Sequence, residues 1–107
     1  MLTKRVFIAA IAAVALSSTH AMAAGHAKQV RIAGFAFGPA ELTVSVGDTI
    51  TFLNGDGAPH TATATDGSFD TGRLNSGDSA TVTITSAGTY EYVCSFHPSM
   101  KGVIIAE

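Results

Sequence analysis

The sequence has little that could reinforce a small protein by cross-linking. It contains 1 Cys, which excludes an internal disulfide, and its 6 Lys+Arg against 8 Asp+Glu include no run of basic residues. The charge pattern expected of a nucleic-acid-binding protein is therefore missing. With 107 residues the chain has room for one small domain, which excludes a two-domain enzyme.

Long apolar runs are also missing, except for one near the N-terminus. Lys4 and Arg5 precede an apolar run over 6–16, and a polar stretch then leads to an Ala-Met-Ala sequence that ends at Ala23. These three parts predict a secretory signal peptide over residues 1–23. A permanent membrane anchor is disfavoured because the run is much shorter than the roughly 20 residues needed to cross a bilayer.

Removal of the signal peptide leaves a single domain over 24–107. Without Lys4 and Arg5, 4 Lys+Arg remain against 8 Asp+Glu, a formal charge of -4. We expect an exported, periplasmic monomer without a membrane span. Exported domains of this size often depend on disulfides or a metal, and no internal disulfide is possible here.

Short β-branched and aromatic segments, most of them alternating with polar residues, predict β-strands. The segments with this character are 42–46, 50–52, 81–85, 90–94 and 102–106. Leu42, Val44 and Val46 are expected on one buried face. Residues 61–79 are polar and rich in Gly, Asp and Ser, and we expect a short strand there followed by irregular connections, without exact bounds. The strand spacing predicts an all-β fold, an antiparallel Greek-key β-sandwich.

The residues that carry chemistry lie mostly in one short segment. Cys94, His97 and Met100 place a thiol, an imidazole and a thioether at intervals of three residues, and Pro98 restricts the backbone between the last two. His60 follows a loop that can reach the same end of a sandwich if the strands are neighbours. Two imidazoles and a thiolate in a trigonal plane, with a weak axial thioether, form a blue-copper electron-transfer site.

Other interpretations of these residues fit less well. Structural zinc needs four Cys or His ligands, and Met100 would obstruct the open position of catalytic zinc. A catalytic Cys-His pair would need a substrate cleft, for which so small a domain has no room. A structural Cys94 beside unrelated His and Met residues explains each residue alone but not their joint spacing. The pattern predicts one copper ion that cycles between Cu(II) and Cu(I).

The sequence also resembles the small blue-copper cupredoxins of the plastocyanin, pseudoazurin and amicyanin group, over 30–107. The resemblance is strongest to the amicyanin family, whose short ligand loop has the Cys-x-x-His-Pro-x-Met pattern found here at 94–100. Asn54, six positions before His60, and Pro59 also match the family. The resemblance implies a cupredoxin-like fold and a copper ion bound by His60, Cys94, His97 and Met100.

The resemblance implies a soluble one-electron carrier, which we expect in the periplasm. A copper oxidase or reductase would need a second centre with several more His than the three of the chain 24–107, so we expect no enzyme. The carrier's partners would be larger redox proteins that it contacts transiently, such as a dehydrogenase, a cytochrome or an oxidase. The alternative is a protein that holds or delivers copper with the same ligands. Reversible redox cycling at constant copper content favours the carrier, whereas ready loss of metal to a weak chelator favours the alternative.

Two polar residues are candidates for holding the metal ligands in position by hydrogen bonds. The resemblance implies that the Asn54 amide bonds to the backbone beside Cys94 and so ties the two ligand loops together. The alternative for Asn54 is an ordinary turn residue before Gly55. Thr61 stands where relatives usually have Asn, and its hydroxyl could substitute for the side chain of that missing Asn.

The expected electron port is the ring edge of His97. It is surrounded in this interpretation by Ala58, Pro59, Phe96 and Pro98, which give a small apolar patch. Burial of Phe96 in the core is the alternative, because Phe is so often buried.

A second metal site is conceivable at the new N-terminus. Cleavage after Ala23 would expose Ala24-Gly25-His26, whose free amine, two amides and imidazole can bind Cu(II) or Ni(II) in a square plane. The alternative is a terminal His without a metal.

Overall fold

The computed structural model describes residues 25–107, and the predicted signal peptide and Ala24 lie outside these residues. The described strands are β1 (Ala27–Ala33), β2 (Ala36–Gly38), β3 (Glu41–Val44), β4 (Thr49–Asn54), β5 (Thr63–Ala64), β6 (Ser79–Thr83), β7 (Gly88–Val93) and β8 (Lys101–Ala106). This part of the chain contains no helix with the length and apolar character needed to cross a membrane.

The strands form two sheets, with the orders β2-β1-β4-β6 and β3-β8-β7-β5. The predicted all-β sandwich is confirmed, but its sheets are mixed rather than antiparallel, because β1 pairs with β4 and β3 with β8 in parallel. Every connection from β2 to β7 passes from one sheet to the other. Sheet neighbours are therefore often distant in sequence, and an alternating pattern predicts which face is buried but not the direction of the partner strand.

The core lies between the two sheets and is rich in aromatic rings. Tyr92 of β7 lies edge-on to Phe37 and Phe52, with ring centroids 4.7 and 5.4 Å away. Such edge contacts are the favoured geometry of buried aromatic pairs. Cys94 follows β7 and is buried like Tyr92, so the thiol lies where one end of this core begins.

The chain turns earlier after β3 than the alternating pattern predicts. Val46 is 44% exposed, so its predicted place on the buried face is wrong. A turn begins at Ser45, whose N–H donates to the Asp48 carboxylate at 2.9 Å, while the Asp48 N–H donates to the Ser45 carbonyl at 2.9 Å. The N–H groups of His26 and Ser45 donate to the Asp48 carboxylate and hold its pKa below the ordinary value.

Residues 61–79 contain the expected short strand, β5, and more order than the sequence indicates. Besides β5, two isolated bridges pair His60 with Leu74 and Thr63 with Asp70. The His60 and Leu74 N–H groups donate to each other's carbonyls at 3.0 and 2.8 Å. Because Leu74 is 3% exposed, this bridge fastens the backbone of His60 to the core.

Candidate metal centre

Three of the four predicted ligands lie on the loop between β7 and β8. The loop is closed by backbone hydrogen bonds, in which the N–H of Cys94 donates to the carbonyl of Met100 at 3.1 Å. The His97 N–H donates to the Cys94 carbonyl at 3.2 Å, and the Met100 N–H donates to the His97 carbonyl at 2.9 Å. The spacing of three residues thus becomes a compact turn in which each ligand residue is bonded to the next.

The side-chain donors of His60, Cys94 and His97 converge on one point. The Nδ1 atoms of both imidazoles lie 3.7 Å from the Cys94 Sγ, and the ligand atoms of the three residues lie within 4.8 Å of one another. Metal bonds of about 2.3 Å to sulfur and about 2.0 Å to nitrogen can span these distances between sulfur and nitrogen. The three donors are therefore close enough to bind one metal ion together.

One of the four ligand residues is more exposed than the others. Cys94 and His60 are 0% exposed and Met100 is 4% exposed, while His97 is half-buried. A thiolate, two imidazoles and a thioether are the donors that copper uses in electron-transfer sites. The residues therefore fit a copper ion that is enclosed on most sides and approached through His97.

Comparison with known proteins agrees with this geometry. The family model described as Cupredoxin-like domain matches residues 6–106. The chain belongs to the cupredoxin-like domain family. The predicted family resemblance is confirmed, and so is the predicted cofactor, one copper ion.

The relatives of this cupredoxin include amicyanins. It is 32% identical over 104 residues to Amicyanin-alpha of Methylorubrum extorquens, covering 92% of this chain and 87% of that protein. It is 35% identical over 83 residues to the amicyanin of Paracoccus denitrificans, covering 73% of this chain and 63% of that protein, less than two thirds of its length. A solved structure of an oxidised amicyanin mutant superposes with a TM-score of 0.71 at 32% identity, covering 76% of this chain and 82% of that one.

Thr61 connects the two ligand loops of this cupredoxin. Its hydroxyl accepts a hydrogen bond from the N–H of Ser95 at 2.9 Å, and its own N–H lies 3.4 Å from the Cys94 Sγ. This contact links the backbone of the His60 loop to the side chain of Cys94. The structure therefore places the predicted substitute, the Thr61 hydroxyl, beside the residue that follows Cys94.

Asn54 has a different role from the predicted one. Its side-chain amide donates to the carbonyls of Ala58 and Leu74, at 2.8 and 2.9 Å, so the predicted bond beside Cys94 is wrong. Asn54 ends β4 and is completely buried, and its amide is used up in shaping the loop that leads to His60. It is more than an ordinary turn residue, since it links that loop to the segment bridged with His60.

Asp56 is a functional candidate that sequence reasoning missed. Its Oδ2 lies 3.0 Å from the Nε2 of His60. The carboxylate also accepts hydrogen bonds from the N–H groups of Phe35 and Gly34, at 2.9 and 2.7 Å. The donor of Phe35 above all holds the Asp56 pKa below its ordinary value. The spacing of four residues to His60 was the available signal, but the surrounding glycines indicated only a turn.

The apolar surface expected around His97 is present. Phe96 is 46% exposed, so its burial in the core is excluded, and Pro98 is exposed while Pro59 is half-buried. Phe35 was not predicted here, yet it is 51% exposed and its ring centroid lies 4.9 Å from that of His97. Two aromatic side chains, rather than one, contribute to this surface.

The contacts of His26 disfavour the predicted N-terminal metal site, which would use Ala24, Gly25 and His26. The His26 N–H donates to the Asp48 carboxylate at 2.8 Å, although the site requires this nitrogen as a ligand. The His26 side chain is 80% exposed and its Nδ1 lies 3.7 Å from the same carboxylate. A metal would have to break the bond to Asp48, and Ala24 lies outside the described residues.

Proposed function

We propose that this cupredoxin is a type 1 blue-copper protein that carries single electrons between larger redox proteins. Its metal ligands are His60, Cys94, His97 and Met100. A copper ion held by these residues would supply a Cu(II)/Cu(I) couple that stores one electron. The observation that carries the proposal is the position of two imidazole nitrogens at equal distances, 3.7 Å, from one buried thiol.

The scaffold keeps the ligand set in one arrangement. The loop over 94–100 is closed by its own backbone bonds, and His60 is fixed by its bridge to Leu74. Thr61 then holds the two parts against each other through the N–H of Ser95. A site held in this way needs little rearrangement when the oxidation state changes, which favours rapid electron exchange.

Electrons enter and leave through His97, because it is the ligand whose ring is partly exposed. The exposed rings of Phe35 and Phe96 suit brief docking, since interfaces of transient redox pairs are small. The surface also includes a charge, because the guanidinium carbon of Arg73 lies 5.8 Å from the centroid of the Phe96 ring. The formal charge of -4 on the mature chain steers the approach of a partner rather than fixing it. A dehydrogenase, a cytochrome or an oxidase fits this role, and the protein itself is not an enzyme.

The proposal includes export. Residues 1–23 serve as the signal peptide, and the mature monomer begins at Ala24 and acts in the periplasm. Mass spectrometry of the protein from a periplasmic extract tests this, with the mass of the chain 24–107 as the expected result. A mass that includes Lys4 and Arg5 would contradict it.

The absorption spectrum of the mature protein with Cu(II) is the central test. We expect an intense thiolate-to-copper band in the red, and we expect Cys94→Ser to abolish it. Ser99→Ala changes a residue of the same loop that donates no ligand, so it should keep the band. A pale protein with bound Cu(II) would overturn the proposal.

Copper delivery with the same ligands is disfavoured by burial. Transfer of cargo requires exchange with an acceptor's ligands, yet Cys94, His60 and Met100 are almost inaccessible. We expect repeated chemical oxidation and reduction to leave the copper content unchanged in the presence of a weak chelator. Loss of copper in both oxidation states would favour delivery instead.

A further inference from the structure

The carboxylate of Asp56 connects a metal ligand to a distant turn. Its Oδ2 faces the Nε2 of His60 at 3.0 Å and the N–H of Phe35 at 2.9 Å, and its Oδ1 accepts from the N–H of Gly34 at 2.7 Å. The two carboxylate oxygens of Asp56 therefore face three nitrogen donors. The Nδ1 of His60, on the opposite edge of the ring, faces Cys94, so the Asp56 contact determines which nitrogen is left for the metal.

The turn between β1 and β2 holds Phe35 in a backbone conformation that is unfavourable for a bulky residue. Gly34 and Phe35 both have positive φ, 63° and 58°, as required by a two-residue hairpin turn with two left-handed positions. Gly, Asn and Asp are favoured there, whereas a bulky side chain is strained. Strain of this kind is kept where the surroundings impose it, and here the Asp56 carboxylate takes both N–H groups of the turn.

The contacts of the Phe35 ring can explain why a strained residue is kept at this position. It contacts both imidazoles edge-on, with centroids 5.0 Å from His60 and 4.9 Å from His97, at interplanar angles of 88° and 85°. The side chain is 51% exposed, so it is not retained for burial in the core. Its position covers the two histidines.

We propose that Asp56 is the positioning residue of this copper centre, an inference that rests on the proposed function. Its carboxylate accepts the Nε2–H of His60, presents Nδ1 to the metal, and holds the turn that places the Phe35 ring over both imidazoles. A carboxylate that orients a ligating histidine also makes that imidazole a stronger donor. A negative charge next to the ligand favours the more highly charged ion, so Asp56 lowers the midpoint potential.

Asp56→Asn tests the inference with Asp66→Asn as its matched control. The amide has one oxygen in place of two, so at least one of the three donors loses its acceptor. The Asp66 carboxylate accepts the N–H of Ser68 at 2.9 Å in an exposed turn outside the metal centre. We expect Asp56→Asn to weaken Cu(I) binding about 10–100-fold and to raise the midpoint potential, with no change in Asp66→Asn.

A spectroscopic signature separates positioning from a purely structural role. In the Cu(I)-loaded protein, which is diamagnetic, NMR reports the exchange of the His60 Nε2 proton with solvent. We expect slow exchange in the unchanged protein, and exchange at least about tenfold faster in Asp56→Asn. Rapid exchange in the unchanged protein would overturn the inference, and this measurement does not require the variant to fold.

Phe35→Gly tests the part played by the ring, since glycine accepts the left-handed backbone and leaves the N–H in place. We expect faster loss of copper to a chelator with the slow Nε2 proton exchange of His60 retained. Unchanged copper loss in this variant, or an Asp56→Asn protein that matches Asp66→Asn in affinity, potential and exchange, would overturn the inference. Neither result affects the blue band of the unchanged protein, which tests the proposed function separately.

Discussion

Replacement of Thr61 by Val tests how the two ligand loops are held together in the absence of metal. Thr61 is 4% exposed, and its hydroxyl lies 2.9 Å from the Ser95 N–H, 3.0 Å from the Ser95 hydroxyl and 2.9 Å from the Thr63 hydroxyl. Valine has nearly the same shape but no hydroxyl. The variant therefore removes the polar connection and leaves the packing almost unchanged.

The expected loss follows from the contacts of this hydroxyl. A hydrogen bond contributes about 0.5–1.5 kcal/mol net, and the Thr61 hydroxyl takes part in three of them. The Ser95 N–H loses its acceptor, while the neighbouring hydroxyls can turn to other partners. We expect Thr61→Val to lower the free energy of unfolding by about 2 kcal/mol, equivalent to about 8–16 °C in Tm for a domain of this size.

Urea unfolding of the metal-free mature protein, followed by circular dichroism, measures this loss. Thr81→Val is the matched control, because the Thr81 hydroxyl pairs with that of Thr51 at 2.9 Å on an exposed face, where substitutions cost about 0.5 kcal/mol or less. Thr61→Ser keeps the hydroxyl and should lose only the contribution of one methyl group, about 1 kcal/mol. The reasoning is refuted if Thr61→Val and Thr81→Val destabilise the protein equally.

Two further predictions concern the axial ligand and acid stability. Met100→Gln should keep the blue colour but lower the midpoint potential, because the axial ligand tunes it; an unchanged potential by voltammetry would contradict the assignment of Met100. Asp48 has a lowered pKa in the folded protein, so its stabilising effect is present above the unfolded pKa of about 3.9 and is lost as the pH falls through the lower folded value. Asp48→Asn should therefore destabilise the protein at pH 7. The difference in the free energy of unfolding between the variant and the unchanged protein should shrink as the pH falls towards 3. If urea unfolding gives the same difference at every pH, this linkage is excluded.

The local part of the metal centre could be predicted because it is encoded within a few residues. Cys94, His97 and Met100 stand three apart, and a turn of that length is closed by backbone bonds between them. The chemistry of a thiol, an imidazole and a thioether then restricts the metal. The alternation of apolar residues likewise predicted most strands, but it failed at Val46, where the carboxylate of Asp48 binds the backbone and ends the pattern.

The contacts behind the ligands could not be predicted, because they join residues that are distant in sequence. The sequence shows a Thr at 61 and an Asp at 56, but not that they lie beside Ser95 and Phe35, which are 34 and 21 positions away. Family resemblance predicts the connecting role for Asn54, but its amide donates to carbonyls that are nearer in the sequence.

The sequence by itself thus determined the kind of site, since donor type and short-range spacing are properties of the chain. Only the tertiary structure decided the parallel pairing of β1 with β4 and of β3 with β8, and the pairing of Asp56 with His60 beneath the ring of Phe35. Side-chain pattern restricts which face of a strand is buried, whereas the partner across a sheet or loop depends on how the whole chain packs.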